Sequence, residues 1–184
     1  DMNGNSELAV PQNTLGAELR QLENKQWEQI TLPHTPFVEP LTVLHQWQGI
    51  CYYKKKITIT PEEAKKHIWI EFEGAMHLAD VWINGKHVMQ HAGGYTPFVV
   101  DATGLLKTGK ENELLVRLDN RNNSLIPPGK PLETLDFCYY GGIYRNVHLI
   151  AKADVHITHP ILDGHRQEQV YLLPIRRCRR SIGS

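Results

Sequence analysis

Apolar residues recur at every second position over several short stretches of this chain, and no other feature constrains its fold as strongly. Ile68, Ile70 and Phe72 alternate with Trp69, Glu71 and Glu73, and Ala79, Val81 and Ile83 alternate with Asp80, Trp82 and Asn84. Leu114, Val116 and Leu118 alternate with Leu115, Arg117 and Asp119, while Ile143, Arg145, Val147 and Leu149 form one side of a further run. Side chains of a strand point to opposite faces in turn, so each run reads as a half-buried strand. Trp27–Leu32, Cys51–Thr60, His87–His91 and Phe98–Val100 are further strand candidates. Asn84-Gly85, between two runs, predicts a tight hairpin, because a type I′ turn needs positive φ at both central residues. Helical signal is confined to a turn or two at Pro61–Lys66 and Asp101–Lys107. Many short strands without a βαβ rhythm predict an all-β fold, an antiparallel β-sandwich of jelly-roll type. Its expected core is Ile70, Phe72, Val81, Ile83, Leu114, Val116, Leu118, Val147 and Leu149.

Composition narrows the function classes. The chain has 184 residues, 41% of them hydrophobic, enough for a packed core. Lys+Arg and Asp+Glu are both 20, a balance that argues against a nucleic-acid partner. No apolar run nears the roughly 20 residues of a membrane span, and no signal peptide is read. Asp1 at the start suggests a processed or trimmed N-terminus. Alternation holds to about Ala153; a further short strand is expected at Val155–Thr158, the truncated start of a following domain. Arg166, Arg176, Arg177, Arg179 and Arg180 against Glu168 give residues 164–184 a charge of +4 and leave −4 for the rest. That stretch reads as a chain end beyond the last packed element. Cys51, Cys138 and Cys178 have no metal-binding spacing and read as free thiols.

The search for chemistry excludes more than it finds. No nucleophile elbow or phosphate-binding glycine motif is present. His87 and His91 fall on one predicted strand, where four residues span roughly 13 Å, too far to share a metal. His156 and His159 lack an acid or Cys to complete a set. Glu71 and Glu73 lie on one strand face beside Trp69, on what reads as the solvated side. Asn112-Glu113 follows Lys110-Glu111 and reads as a solvent-side turn. Neither makes a catalytic dyad. Trp47, Tyr52, Tyr53, Tyr95, Phe98, Phe137, Tyr139, Tyr140 and Tyr144 gather near predicted loops. Such rings either stack on sugar C–H faces or fill the core.

Four segments carry a further signal: Trp27–Thr35, Phe72–Phe98, Asp101–Asn120 and Asp136–Leu149. Their marks are L-P-H-T, F-x-G with V-W-x-N-G, G-G-Y-x-P-F, D-x-T-x-L-L-K-x-G-x-E-N and G-G-I-Y-R-x-V, in that order. Over about Leu15 to Lys152 the chain resembles the N-terminal sugar-binding domain of glycoside hydrolase family 2, most like the bacterial β-galactosidases. Trp82, Asn84, Gly85, Gly94 and Arg145 within the marks read as keeping the fold, Arg145 by spanning strands to a carbonyl or an acid. Gly93-Gly94 reads as a turn that folds Tyr95 and Phe98 back on the sheet.

The resemblance implies a jelly-roll domain over residues 1–153. Residues 154–184 would then be the start of an immunoglobulin-like domain or a disordered tail. In such an enzyme the two catalytic Glu belong to a TIM barrel beyond this chain, so the chain alone would be inactive, with no metal and no cofactor. An acidic residue shortly before G-I-[YF]-R contacts the terminal sugar in family members; the matching residue here is Asp136, six before Gly142. The implied partners are a terminal β-galactoside or related glycan and the downstream immunoglobulin-like and barrel domains. A periplasmic or secreted location is set ahead of a cytoplasmic one. A free-standing carbohydrate-binding module and a purely structural domain stand as alternatives.

Overall fold

The structure, a computed structural model, describes residues 6–9, 22, 25–37, 46–137 and 139–163. Among the described residues nine strands follow in chain order: β1 (Ser6–Ala9), β2 (Glu28–Ile30), β3 (Ile50–Thr58), β4 (His67–Phe72), β5 (Leu78–Ile83), β6 (Lys86–Ala92), β7 (Phe98–Asp101), β8 (Glu111–Asp119) and β9 (Val147–Lys152). They build a six-stranded sheet, β2-β1-β3-β8-β5-β6, and a three-stranded sheet, β7-β4-β9. Every strand pair is antiparallel. The apolar faces meet in one core: Tyr53, Val81 and Val116 from the larger sheet pack with Ile70, Phe72, Val100 and Val147 from the smaller. This is the predicted β-sandwich.

The alternation is read correctly for the inner faces. Of the expected core, all are buried except Leu149, which is partly buried against it. Register explains the packing: Cys51, Leu118 and Ala79 share one inward row, and Tyr53, Val116 and Val81 the next. Asn84 (φ 51°) and Gly85 (φ 78°) form the hairpin between β5 and β6. On the far side, a β-bulge falls at Val81/Trp82, where Val81 pairs with Met89 and Trp82 with His87, leaving Val88 unpaired.

Several expectations need correction. The second faces are solvated only in part. Tyr52, Arg117 and Asp80, in one outward row of the larger sheet, are buried, and Leu22 and Trp27 pack on Ile50, Tyr52 and Leu115 nearby. Charge on that face is paired: Arg117 lies 3.6 Å from Asp80 and 3.3 Å from Asp119, while His87 and Gln90 bond Asp80 at 3.0 and 2.9 Å. Trp69, expected on the solvated side, is buried beneath His67 and His156. Val155–Thr158 is not a strand; Val155 and Ile157 are 94% and 89% exposed and find no strand partner. That segment instead lies on the smaller sheet: His156 packs on Trp69, and His159 sits 3.3 Å from Glu71, ahead of a single helical turn α1 (Pro160–Asp163). Pro61–Lys66 supplies one 3₁₀ turn, Glu63–Lys65, and Asp101–Lys107 forms turns outside any helix. Residues 164–184, Cys138 and Cys178 lie outside the described residues. Cys51 is a buried free thiol.

Asn112 departs furthest from its reading. It is fully buried within β8, and its amide donates to the carbonyls of Ile57, Lys107 and Lys110. Its carbonyl accepts from Asn84 and from the Lys107 amide. Asn84 in turn donates to Leu105 O and accepts from Glu113 N. One side chain thus satisfies backbone groups of β3 and of the turn before β8, which makes it a structural residue with no lone pair left for chemistry. Removing it strands several buried polar groups at about 1–3 kcal/mol each. We expect Asn112→Ala to cost more stability than Val116→Ala, which deletes two methyls from the core at about 2 kcal/mol. Urea unfolding of both variants is the check; equal midpoints would show that the network carries no more than the two core methyls.

Candidate functional site

The site is built where four strand ends converge. Beyond β4, residues 73–77 run beside the lead into β9: Glu73 N bonds Asn146 O at 3.1 Å and Met76 N bonds Gly142 O at 2.9 Å. Gly142 is required there. Its φ is +99°, and a Cβ would stand 2.5 Å from the Tyr53 hydroxyl and 2.7 Å from the His34 carbonyl. The Tyr53 hydroxyl itself bonds His34 Nδ1 and the Ile143 amide. From the other side, Asn120 at the end of β8 is buried and bonds Gly49 N and Trp47 O. These bonds fix both ends of the connection between β8 and β9.

That connection, residues 120–146, carries Asp136. Buried side chains anchor it, among them Ile126, Leu135 and Tyr139, of which Leu135 and Tyr139 pack on Met76. Local turns set its path: Asn123 Oδ1 accepts from Leu125 N, Gly129 N donates to Ile126 O, and a 3₁₀ turn spans Leu132–Thr134. Asp136 stands between the anchors Leu135 and Tyr139 and is exposed. Among the described residues no side chain bonds its carboxylate. Phe137 beside it is 40% exposed.

The start of this connection and the lead into β5 line an open cleft, formed by His77, Leu78, Asp119, Arg121, Asn122 and Asn123. A smaller concavity shares His77, Asn122 and Asn123 with it and continues to Leu135 and Tyr139. Arg121 clasps Asp119 with two bonds, 2.9 and 2.6 Å. Burial alone would raise the Asp119 carboxyl, but those bonds and the nearby Arg117 charge hold it below the usual carboxylate range. His77 is buried, and its Nδ1 bonds the Tyr139 hydroxyl. Burial lowers His77, against the pull of Asp119. Burial raises the phenols of Tyr139, Tyr95 and Tyr144.

The aromatics divide by position. Tyr52, Tyr53, Phe98 and Tyr139 are buried, and Phe98 stacks on Phe72. Trp47 is partly buried against the core and stacks on Phe37, which is half exposed. Tyr95, expected to fold back on the sheet, is instead 51% exposed and meets Tyr139 edge-on. Arg145 spans no strands: it is exposed, its guanidinium 5.9 Å from the Tyr144 ring. Glu71 and Glu73 are not a dyad. Glu71 faces His159, and Glu73 is taken by Asn146 and His148. Sequence reasoning missed His77, Asp119 and Arg121. Asp119 was legible as a polar residue closing β8, but His77 carried no signal, because a lone histidine between Met76 and Leu78 fits no motif.

The comparisons agree with this architecture. The family model for the sugar binding domain of glycosyl hydrolases family 2 matches residues 3–153. A β-galactosidase from Thermoanaerobacter pseudethanolicus is 34% identical over 153 residues, 82% of this chain and 20% of its own length. A β-glucuronidase from Bacteroides fragilis is 38% identical over 127 residues, covering 66% and 17%. The solved structure of β-glucuronidase 2 from Bacteroides uniformis matches with a TM-score of 0.70 at 31% identity, over 83% of this chain and 17% of that one. The chain spans about a fifth of the length of the curated relatives it matches.

The histidines predict an acid-side instability. Burial lowers His34, His77 and His91 below the imidazole value of 6.5. The unfolded chain therefore takes up their protons first. Their contribution is complete above about pH 6.5 and is lost as pH falls toward the folded values. The melting temperature should drop between about pH 7.5 and about pH 5.5, and less steeply for His91→Asn, which cannot titrate. Identical slopes for the two proteins would remove His91 from the account.

Proposed function

The chain belongs to glycosyl hydrolase family 2 through its sugar binding domain, and from that premise we propose that it is the non-catalytic, sugar-contacting domain of a retaining exo-β-glycosidase. The substrate class is a terminal β-hexoside. A β-galactoside is the first choice and a β-glucuronide the second, since relatives of both names match this chain. The catalytic carboxylates come from a barrel domain beyond these residues, and an immunoglobulin-like domain follows residue 153. Within the described residues, Glu71 and Glu73 are engaged in structural contacts, as above, which supports a binding role.

Asp136 is the residue that contacts the terminal sugar. The observation that carries this is an exposed carboxylate, unbonded among the described residues, set between two buried anchors of a fixed loop. As an acceptor-only group it takes hydrogen bonds from two neighbouring sugar hydroxyls, each charge-assisted. Positive charge develops on the sugar ring as the glycosidic bond breaks. The hydroxyls then become better donors, and the contact strengthens at the moment it helps most.

In the complete enzyme, Asp136→Ala should lower kcat/KM at least about tenfold, as expected for loss of a charge-assisted bond of about 1.5–3 kcal/mol. The melting temperature should be unchanged, because among the described residues no side chain bonds the carboxylate. Early melting with normal kcat/KM would reverse the assignment. Calorimetric titration of this chain with galactose and lactose separates the domain from a free-standing module. No saturable binding tighter than about 1 mM is expected, a threshold of roughly −4 kcal/mol.

A further inference from the structure

Resting on the reading of Asp136 as a sugar contact, we propose that His77 and Tyr139 form a positioning pair that sets the Asp136 loop, and that the pair holds only while His77 is neutral. The two partners belong to different parts of the molecule. His77 is part of the frame: its backbone N–H donates to Asp119 O at 3.4 Å and its carbonyl accepts from Gly93 N at 2.9 Å. It is tied both to the end of β8 and to the turn after β6. Tyr139 belongs to the loop, three residues beyond Asp136, and its own N–H donates to Gln46. Both side chains are buried. Their hydrogen bond is thus a polar link between frame and loop, beside the apolar contacts of Met76, Leu135 and Tyr139.

In the proposed pair the Tyr139 hydroxyl, kept protonated by burial, is the donor and Nδ1 of His77 the acceptor. An accepting Nδ1 places the imidazole proton on Nε2. Protonation of His77 puts a hydrogen on Nδ1 as well. The hydroxyl must then turn to accept, and its own proton loses its acceptor in a buried site.

The charged and titratable groups around the pair leave this logic intact. Asp119, at the end of β8, favours the imidazolium, but its carboxylate is shared with Arg121 and Arg117. Tyr95, from the turn after β6, meets Tyr139 edge-on at 6.4 Å. Tyr144, from the lead into β9, faces Tyr95 and donates to Gly94 O at 2.5 Å. Burial outweighs Asp119 at His77. The loop is therefore set at neutral pH and released on acidification below about pH 6.5.

Two substitutions isolate the bond. Tyr139→Phe removes only the hydroxyl and keeps the ring on Met76 and Leu135. His77→Asn keeps an acceptor near Nδ1 but cannot titrate. In the 184-residue chain, NMR should show His77 protonated at Nε2 near neutral pH. The amides of Asp136 and Phe137 should shift, and lose about tenfold in exchange protection after correction for intrinsic rates, as His77 titrates. Tyr139→Phe should show that loss at every pH, and His77→Asn should abolish the titration. In the complete enzyme, Tyr139→Phe should lower kcat/KM severalfold, mainly through KM. Unchanged loop amides and unchanged kcat/KM in Tyr139→Phe, where Asp136→Ala does lower kcat/KM, would overturn the pair while leaving the sugar contact standing. If Asp136→Ala has no effect on kcat/KM while the amide changes appear as expected, the sugar contact fails and the positioning pair stands.

Discussion

The pairing of β3 with β8 is the constraint on which the rest of the sandwich depends. It runs over nine residue pairs, from Ile50↔Asp119 to Thr58↔Glu111. A slip of one residue would carry Cys51, Tyr53 and Ile57 to the outer face and bring Tyr52, Lys54 and Lys56 inward. That register is also what delivers the site. It sets Asn120 against Gly49 and Trp47 at one end, and Asn112 beneath Ile57 at the other. The loop with Asp136 departs from the first of these ends. Its starting direction is therefore fixed by the strongest strand pairing in the molecule and not by the loop's own residues.

The sandwich was legible because its inner rows are almost purely apolar. Val81, Val116 and Ile70 alternate with polar or bulky neighbours, and each is buried. The outer faces were not legible, and Arg117 shows why. A buried arginine between Asp80 and Asp119 has the same letters as a solvated one; only the third dimension reveals its partners. Trp69 misled in the same way, since its cover comes from His156, distant in sequence and outside any strand. Asn112 was hidden by its neighbours. Lys110 and Glu111 flank a residue whose amide faces inward at the edge of the core.

At the candidate site the legible part was Asp136, through the marks it shares with a family; no local pattern singled it out. What supports its carboxylate was not legible. His77, Tyr139 and Gln46 are separated by up to 93 residues and meet only because β5 begins beside the end of β8. Loop sites are commonly specified in this manner: the exposed residue carries the chemistry, while its placement is encoded in buried residues elsewhere.

The bulge beside Val88 has a consequence for the protein among its own copies. β6 closes the larger sheet, so its outer side offers backbone donors and acceptors to any strand that approaches. An unpaired extra residue kinks and twists such an edge, breaking the regular spacing an incoming chain must match. Lys86 and two histidines, His87 and His91, lie on the same strand. The break in pairing thus disfavours edge-to-edge association along β6.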